Sequence, residues 1–310
     1  MTALRAHRRG GPEVLVVERA PVPVPASGEV LIEVHAAAIT FDELTWDETW
    51  TRNGVDRTPT IPSHEVSGVV SATGPNVTNI TVGDQVYGLI PFDRDGAAAE
   101  YVAVPADCLA ARPTTCSHVQ SAALPLAGLT AWQALIDHAA VQPGERVLVH
   151  GGAGGVGALT IQLAARLGAQ VTTTVRSDVA DLMAELGATT VIDTRTEQFA
   201  DPDAEYDVVI DTIGGPTLER SFEILRPGGR LVTISAPPPP GKAEAFDVDA
   251  TFFIVTPDRA QLAQLTELAD AAGMQIAIAG TFPLEDGRAA FESGQRPHRA
   301  PGKTVLIVRD

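Results

Sequence analysis

The chain has 310 residues, 45% of them hydrophobic, with 39 acidic against 22 basic side chains and a net charge of -17. That balance fits an ordinary globular protein of about two domains and argues against nucleic acid or an anionic membrane surface as a partner. No apolar run reaches the ~18 residues of a membrane span, Pro12 and Glu13 follow Arg5, Arg8 and Arg9 where a signal peptide would have its apolar stretch, and Cys108 and Cys116 are too few for a disulfide framework, which fits a reducing cytoplasm.

Residues 1 to about 125 read as β-rich. Val14 to Val17, Val30 to Val34, Val66 to Val70, Gln85 to Leu89 and Glu100 to Val104 are short strand-like runs. Pro21, Pro23 and Pro25, Ser27-Gly28, Gly74-Pro75-Asn76 and Gly83-Asp84 punctuate them as turns. Many short strands with glycine and proline between them predict a compact, barrel-like unit.

From about Ser121 the pattern changes. Ala122 to Leu135 predicts a helix, closed by Val141-Gln142-Pro143-Gly144. Strands at Val147 to His150, 171–175, Thr190 to Ile192, Tyr206 to Asp211 and Arg230 to Ser235 then alternate with helices at 155–167, Val179 to Leu186 and Leu218 to Leu225. Such alternation predicts a doubly wound parallel sheet, an α/β fold. Pro237 to Pro240 reads as a stiff connector, and the tail as helix 259–272, a strand near Ile276 to Ala279, a helix around 287–292 and a strand Thr304 to Val308, with no disordered end.

The first strand of that alternation runs into Gly151-Gly152-Ala153-Gly154-Gly155-Val156-Gly157. Gly152, Gly154 and Gly157 have the G-x-G-x-x-G spacing, in which the glycines allow a tight turn, an approach of backbone to a pyrophosphate, and close packing of helix on strand. The free N–H groups at the helix start then face the anion. Val156, Leu159, Leu163 and Leu167 recur at helical spacing, Gly168 supplies the stop, and the unit has the length of a dinucleotide-binding βαβ. Where NAD-binding units carry an acidic residue, ~20 residues past the glycines at the end of the second strand, this chain has Arg176. A guanidinium there suits the 2′-phosphate of NADPH, and Ser177 adds a hydroxyl donor. Asp178 is the complication, because a carboxylate facing the ribose would repel that phosphate and favour NADH.

Several motifs together resemble the medium-chain dehydrogenase/reductases, in the zinc-free, quinone-oxidoreductase-like branch, over nearly the whole chain. They are Gly10-Gly11-Pro12-Glu13-Val14-Leu15, Ser27-Gly28-Glu29-Val30-Leu31 with Val34-His35-Ala36-Ala37, and Ile61-Pro62-Ser63-His64-Glu65-Val66-Ser67-Gly68, which has Ser63 where the family usually has glycine. Leu124-Pro125-Leu126-Ala127-Gly128-Leu129-Thr130-Ala131, Asp211-Thr212-Ile213-Gly214-Gly215 and Gly302-Lys303 complete the set. The resemblance implies a β-rich, GroES-like catalytic domain from residues 1–125 and 256–310 around a Rossmann domain at 126–255. It also implies a homodimer, a nicotinamide end of the cofactor near Thr130, Ile213, Phe253 and Ile254, and Lys303 near the region of Arg176.

Zinc alcohol dehydrogenases of the family use a Cys, a His and a second Cys as catalytic ligands, and the matching positions here are Thr40, His64 and Leu126. A catalytic zinc needs about three protein ligands plus water, so no metal is expected, and His64 reads as a hydrogen-bonded residue near the cleft. Without a Lewis acid the favoured chemistry needs only hydride and a proton. The expectation is an NADPH-dependent oxidoreductase acting on a small molecule, a quinone or an activated C=C bond. The competing readings are an alcohol dehydrogenase and a non-catalytic NADPH-binding redox sensor. Thr40 is the candidate hydrogen-bonding group beside the nicotinamide, and Asp42, Glu43, Trp46 and Trp50 are candidates for the substrate entrance. The branch often has a tyrosine after the matching segment, but none stands near Ile39-Thr40-Phe41-Asp42, so the resemblance names no side chain as proton donor, and water and the ribose hydroxyl are the open candidates.

Overall fold

The computed structural model describes residues 1–176, 178–201, 205–296 and 299–309. The chain divides into two compact units, Met1–Leu129 with Thr256–Asp310, and Thr130–Val255. The fold is α/β, with a parallel sheet in one unit and a β-rich arrangement in the other.

In the β-rich unit the described residues form a seven-stranded sheet. Its path runs Ile278–Pro283, Lys303–Ile307, Glu29–Ile39, Glu65–Thr73, Gln85–Leu89, Leu109–Ala111, and Tyr101–Pro105 also pairs with Glu29–Ile39. The long strand Glu29–Ile39 alternates buried with half-buried residues over its first half, the period of two that puts one face into a core. Ile32, Val34, Val66, Val86, Leu109 and Leu306 share that core. The strand Lys303–Ile307 is antiparallel to Glu29–Ile39, with Thr304 opposite Ile39, so two segments far apart in sequence bring Thr40 and Lys303 to the same end of the sheet.

In the α/β unit the described residues form a six-stranded sheet in the order Thr190–Asp193, Gln170–Val175, Arg146–His150, Tyr206–Asp211, Leu225–Thr233, Asp249–Phe252. Every pairing is parallel. Val147, Leu148 and Val149 are fully buried, as a central strand covered on both faces requires. The helix Gly155–Arg166 lies against it through Leu159, Ile161 and Leu163. Parallel strands end together, so the loops after His150, Val175, Asp211, Thr233 and Phe252 share one edge. That edge, where the strand order reverses, is where doubly wound sheets take ligands.

The structure corrects several element boundaries. The helix predicted over 122–135 is three pieces: His118–Ala122 with a Ser117/Gln120 capping box, Pro125–Trp132, and a π-helical stretch Gln133–His138. Pro125 lacks an N–H and starts a helix more readily than it continues one. The strand predicted from Arg230 begins at Leu225 and carries Pro227-Gly228-Gly229 as an irregularity, with Gly228 at φ 72° and a register shift opposite Tyr206 to Val208. The strand Thr2–Ala6, paired with Leu15–Arg19, and the helix Lys242–Phe246 carried no sequence signal strong enough to predict.

Candidate functional site

The α/β unit builds its site around the glycine turn. Gly154 is the N-cap of the helix Gly155–Arg166 and no side chain caps it, so the amides of Gly155, Val156 and Gly157 lack intrahelical acceptors and point out of the helix start. A Cβ on Gly157 would lie 2.2 Å from the Gly151 carbonyl oxygen, and one on Gly152 would lie 2.2 Å from Thr173 Oγ1. A Cβ on Gly154 would stand 3.3 Å from its nearest neighbour, the Gly151 oxygen. Gly152 and Gly157 therefore keep the turn tight, while Gly154 leaves room on its outer side. Ala153, Gly155 and Val156 complete the cradle.

A buried histidine roots this turn. Ser221 Oγ donates to Thr217 O at 2.7 Å, so it accepts the Nε2–H of His150 at 3.0 Å. His150 Nδ1 is then the acceptor for the Thr174 hydroxyl at 3.1 Å, which frees Thr174 Oγ1 to take the Gly151 amide at 3.3 Å. The Thr174 carbonyl takes the Gly152 amide at 3.0 Å. Burial pushes the pKa of His150 down to about 3, so the ring is neutral and its tautomer is fixed by its partners. Nothing in the sequence pattern singled out His150, because a histidine ending a buried strand has no periodic signature.

Ile213 belongs to the loop that Asp211 organises. The fully buried Asp211 carboxylate accepts the amides of Ile213 and Gly214 at 3.1 Å and the Thr233 hydroxyl at 3.0 Å. Ile213 is 56% exposed and its side chain lies over Gly151. Phe253 is buried and packs on the His138 ring at 4.4 Å, whereas its neighbour Ile254 is 59% exposed. Glycine turn, Ile213 and Phe253 thus share the carboxyl edge of the sheet. Thr130 is buried in the helix Pro125–Trp132. Arg176 is exposed at the end of the second strand of the unit. Ser177 lies outside the described residues. Asp178 is paired with Arg195 at 2.5 Å.

The β-rich unit holds a buried ionic cluster. Glu65, almost wholly buried, accepts the Leu126 amide at 3.0 Å on Oε1 and meets the Lys303 ammonium on Oε2. Burial pushes the Glu65 carboxyl up, and the ammonium opposes that shift. Lys303 Nζ also donates to Thr40 Oγ1 at 3.2 Å. Lys303, a candidate cofactor-binding residue from the sequence, thus has its ammonium between Glu65 and Thr40 within the β-rich unit.

Beside that cluster in sequence, Glu43 Oε2 accepts the Ser63 amide at 3.0 Å and lies 2.9 Å from His64 Nδ1, while His64 Nε2 lies 3.2 Å from the Arg94 carbonyl. A carbonyl can only accept, so Nε2 carries a proton, and both ring nitrogens are engaged. Ser63 sits at φ 70°, which explains why glycine is the usual residue at that point of the motif. Glu43 and Trp50 do not line an entrance: Glu43 is buried on His64, and Trp50 is buried with its Nε1–H on the Leu44 carbonyl at 2.9 Å. Trp46 and Phe92 stack edge to face at 5.0 Å, with Phe92 5.4 Å from the His64 ring. Among the described residues no group of three or more His, Cys, Asp or Glu is placed to hold a metal ion, and no helix is long and apolar enough to cross a membrane.

Family models match two stretches, an alcohol dehydrogenase GroES-like domain at residues 26–114 and a zinc-binding dehydrogenase domain at residues 186–306. The chain belongs to the medium-chain dehydrogenase/reductase superfamily, in its quinone-oxidoreductase-like branch. An NADPH-dependent alkenal/one oxidoreductase of Arabidopsis thaliana is 32% identical over 96% of this chain and 77% of its own length. A probable zinc-binding oxidoreductase of Arthroderma benhamiae is 31% identical, covering 95% of this chain and 93% of the relative. The solved quinone oxidoreductase of Coxiella burnetii superposes with a TM-score of 0.90 at 31% identity, over 100% of this chain and 99% of that one. This chain is therefore an oxidoreductase of the same family, and its relatives point to a nicotinamide cofactor and a small-molecule substrate.

Proposed function

We propose that this medium-chain dehydrogenase/reductase is an NADPH-dependent reductase of quinones or of C=C bonds conjugated to a carbonyl, working without zinc. The observation that carries the reading is the Lys303 ammonium on Thr40 Oγ1. A cation occupies the ground where a metal ligand would have to face its ion. The donor set does not fit a catalytic zinc: Thr40 receives an ammonium, Leu126 has no donor atom, and His64 has both nitrogens engaged. The name of the Arthroderma relative speaks for zinc; the donors of this chain speak against it.

The cofactor supplies the hydride. The uncapped amides of the 152–157 turn suit its pyrophosphate, Arg176 its 2′-phosphate, and Thr130, Ile213, Phe253 and Ile254 the apolar surroundings of the nicotinamide. Because Thr40 Oγ1 accepts from Lys303, its own hydroxyl proton is free to point at a substrate oxygen. Thr40 is thus the candidate donor to the carbonyl or quinone oxygen that gains negative charge as hydride arrives. A homodimer belongs to the same reading and rests on family resemblance.

The test is steady-state oxidation of NADPH and of NADH by protein dialysed against a chelator, with a panel of quinones, enones and aldehydes, alongside elemental analysis. Turnover of quinones or enones with NADPH is expected. One tightly held zinc per chain with activity lost on chelation, or turnover confined to alcohols and aldehydes, would sink the proposal.

A further inference from the structure

The ends of two neighbouring strands meet at the cofactor edge of the α/β unit. Val175 is in register with Asp193 across a parallel pair, so the turns that follow the two strands lie side by side. Arg176 and Asp178 leave the first, Arg195 the second. Arg195 Nε lies 2.9 Å from both oxygens of Asp193, and its Nη2 reaches Asp178 Oδ1 at 2.5 Å. These two carboxylates raise the pKa of Arg195 above its ordinary value. Among the described residues Arg176 makes no ion pair.

Arg195 adds little to stability at such an exposed place, since surface ion pairs are worth little. Its effect on a ligand is another matter. Asp178 is 93% exposed along its side chain and has no hydrogen-bond partner other than Arg195 among the described residues. At this edge two guanidiniums balance two carboxylates; without Arg195 the balance turns negative where a phosphate has to sit. A freed carboxylate would also do what the acidic residue of NAD-binding units does, and accept the ribose 2′-hydroxyl.

We infer that Arg195 is a specificity-determining residue: by tying down Asp178 it leaves Arg176 to face the 2′-phosphate and so sets the choice of NADPH over NADH. The inference rests on the NADPH reading. It adds a residue that need not touch the cofactor at all.

The test is direct binding, which needs no substrate. Dissociation constants of NADPH and NADH are measured by fluorescence titration for the wild type, Arg195→Ala, Asp178→Asn and the double variant, with thermal melts to check folding. Arg195→Ala is expected to weaken NADPH and tighten NADH, moving their ratio by about tenfold, an effect that shrinks at ~0.5 M salt. Asp178→Asn alone keeps or raises the preference for NADPH, and the double variant regains most of the preference lost in Arg195→Ala. An unchanged ratio in Arg195→Ala overturns the inference. So does a double variant no better than Arg195→Ala, which would mean that Arg195 holds the phosphate itself. Equal affinities in the wild type overturn the NADPH reading alone, because the shift on removing Arg195 and its reversal by Asp178→Asn are read independently of the starting ratio.

Discussion

At the scale of single residues two buried side-chain clusters each make a measurable claim about stability. Lys303 and Glu65 are a buried ion pair. Breaking such a pair on one side leaves a buried charge and costs about 3–5 kcal/mol, while replacing both partners costs far less. Lys303→Met is expected to lose stability in that range by urea unfolding, and Lys303→Met with Glu65→Gln to recover much of it; additive losses would show that the two do not act as a pair. His150 makes a claim about pH. The unfolded chain takes up a proton at the histidine as pH falls below 6.5, while burial holds the folded pKa at about 3. Its contribution is therefore complete above pH 6.5 and declines as pH falls toward 3, by about 1.4 kcal/mol for each unit. His118, held down to about 4 by burial and by the neighbouring His35 and Arg112, acts in the same direction over a narrower window. Between pH 7 and pH 5 the stability of His150→Gln should fall less steeply than that of the wild type, and parallel curves would rule the account out.

The glycine turn separates two jobs at the scale of an element. Gly157 has no room for a Cβ beneath it, whereas Gly154 faces open space apart from the Gly151 oxygen at 3.3 Å. Gly157→Ala should therefore lower the melting temperature of the cofactor-free protein and weaken cofactor binding with it. Gly154→Ala should leave melting within a degree or two, roughly the effect of a surface change, and still weaken NADPH about tenfold or more by standing between backbone and pyrophosphate. Equal effects of both on melting would contradict the division. Elements of this kind were legible in the sequence because their signals are local: apolar runs for the strands, spaced glycines for the turn, and a residue counted along the second strand for Arg176. The break at Pro125 and the π-helical stretch behind it were not, since hydrophobic spacing continues across both. The links Glu65 to Lys303, His150 to Ser221 and Arg195 to Asp178 were out of reach, because each joins residues that no period or motif relates.

At the scale of the whole molecule, the described residues of the β-rich unit gather a core around Ile32, Val66 and Leu109, and those of the α/β unit one around Leu148, Val209 and Phe222. A ligand held by the glycine turn stabilises the unit that contains it, by about 2.7 kcal/mol at a hundred times its Kd. Calorimetry is expected to resolve two transitions, of which NADPH raises the one belonging to residues 130–255; a single transition moving as a whole would contradict this. The insertion of one unit into the other also imposes an order on synthesis. Strand Glu29–Ile39 waits for its partner Lys303–Ile307 until all of Thr130–Val255 has left the ribosome, an interval on the order of tens of seconds at ordinary elongation rates. During that time the α/β unit has everything it needs to fold, while the older β-rich segment carries an unpaired strand edge and a glutamate still without its counter-ion. A nascent chain that stalls before Lys303 is therefore the form most exposed to edge-to-edge association and most in need of a chaperone.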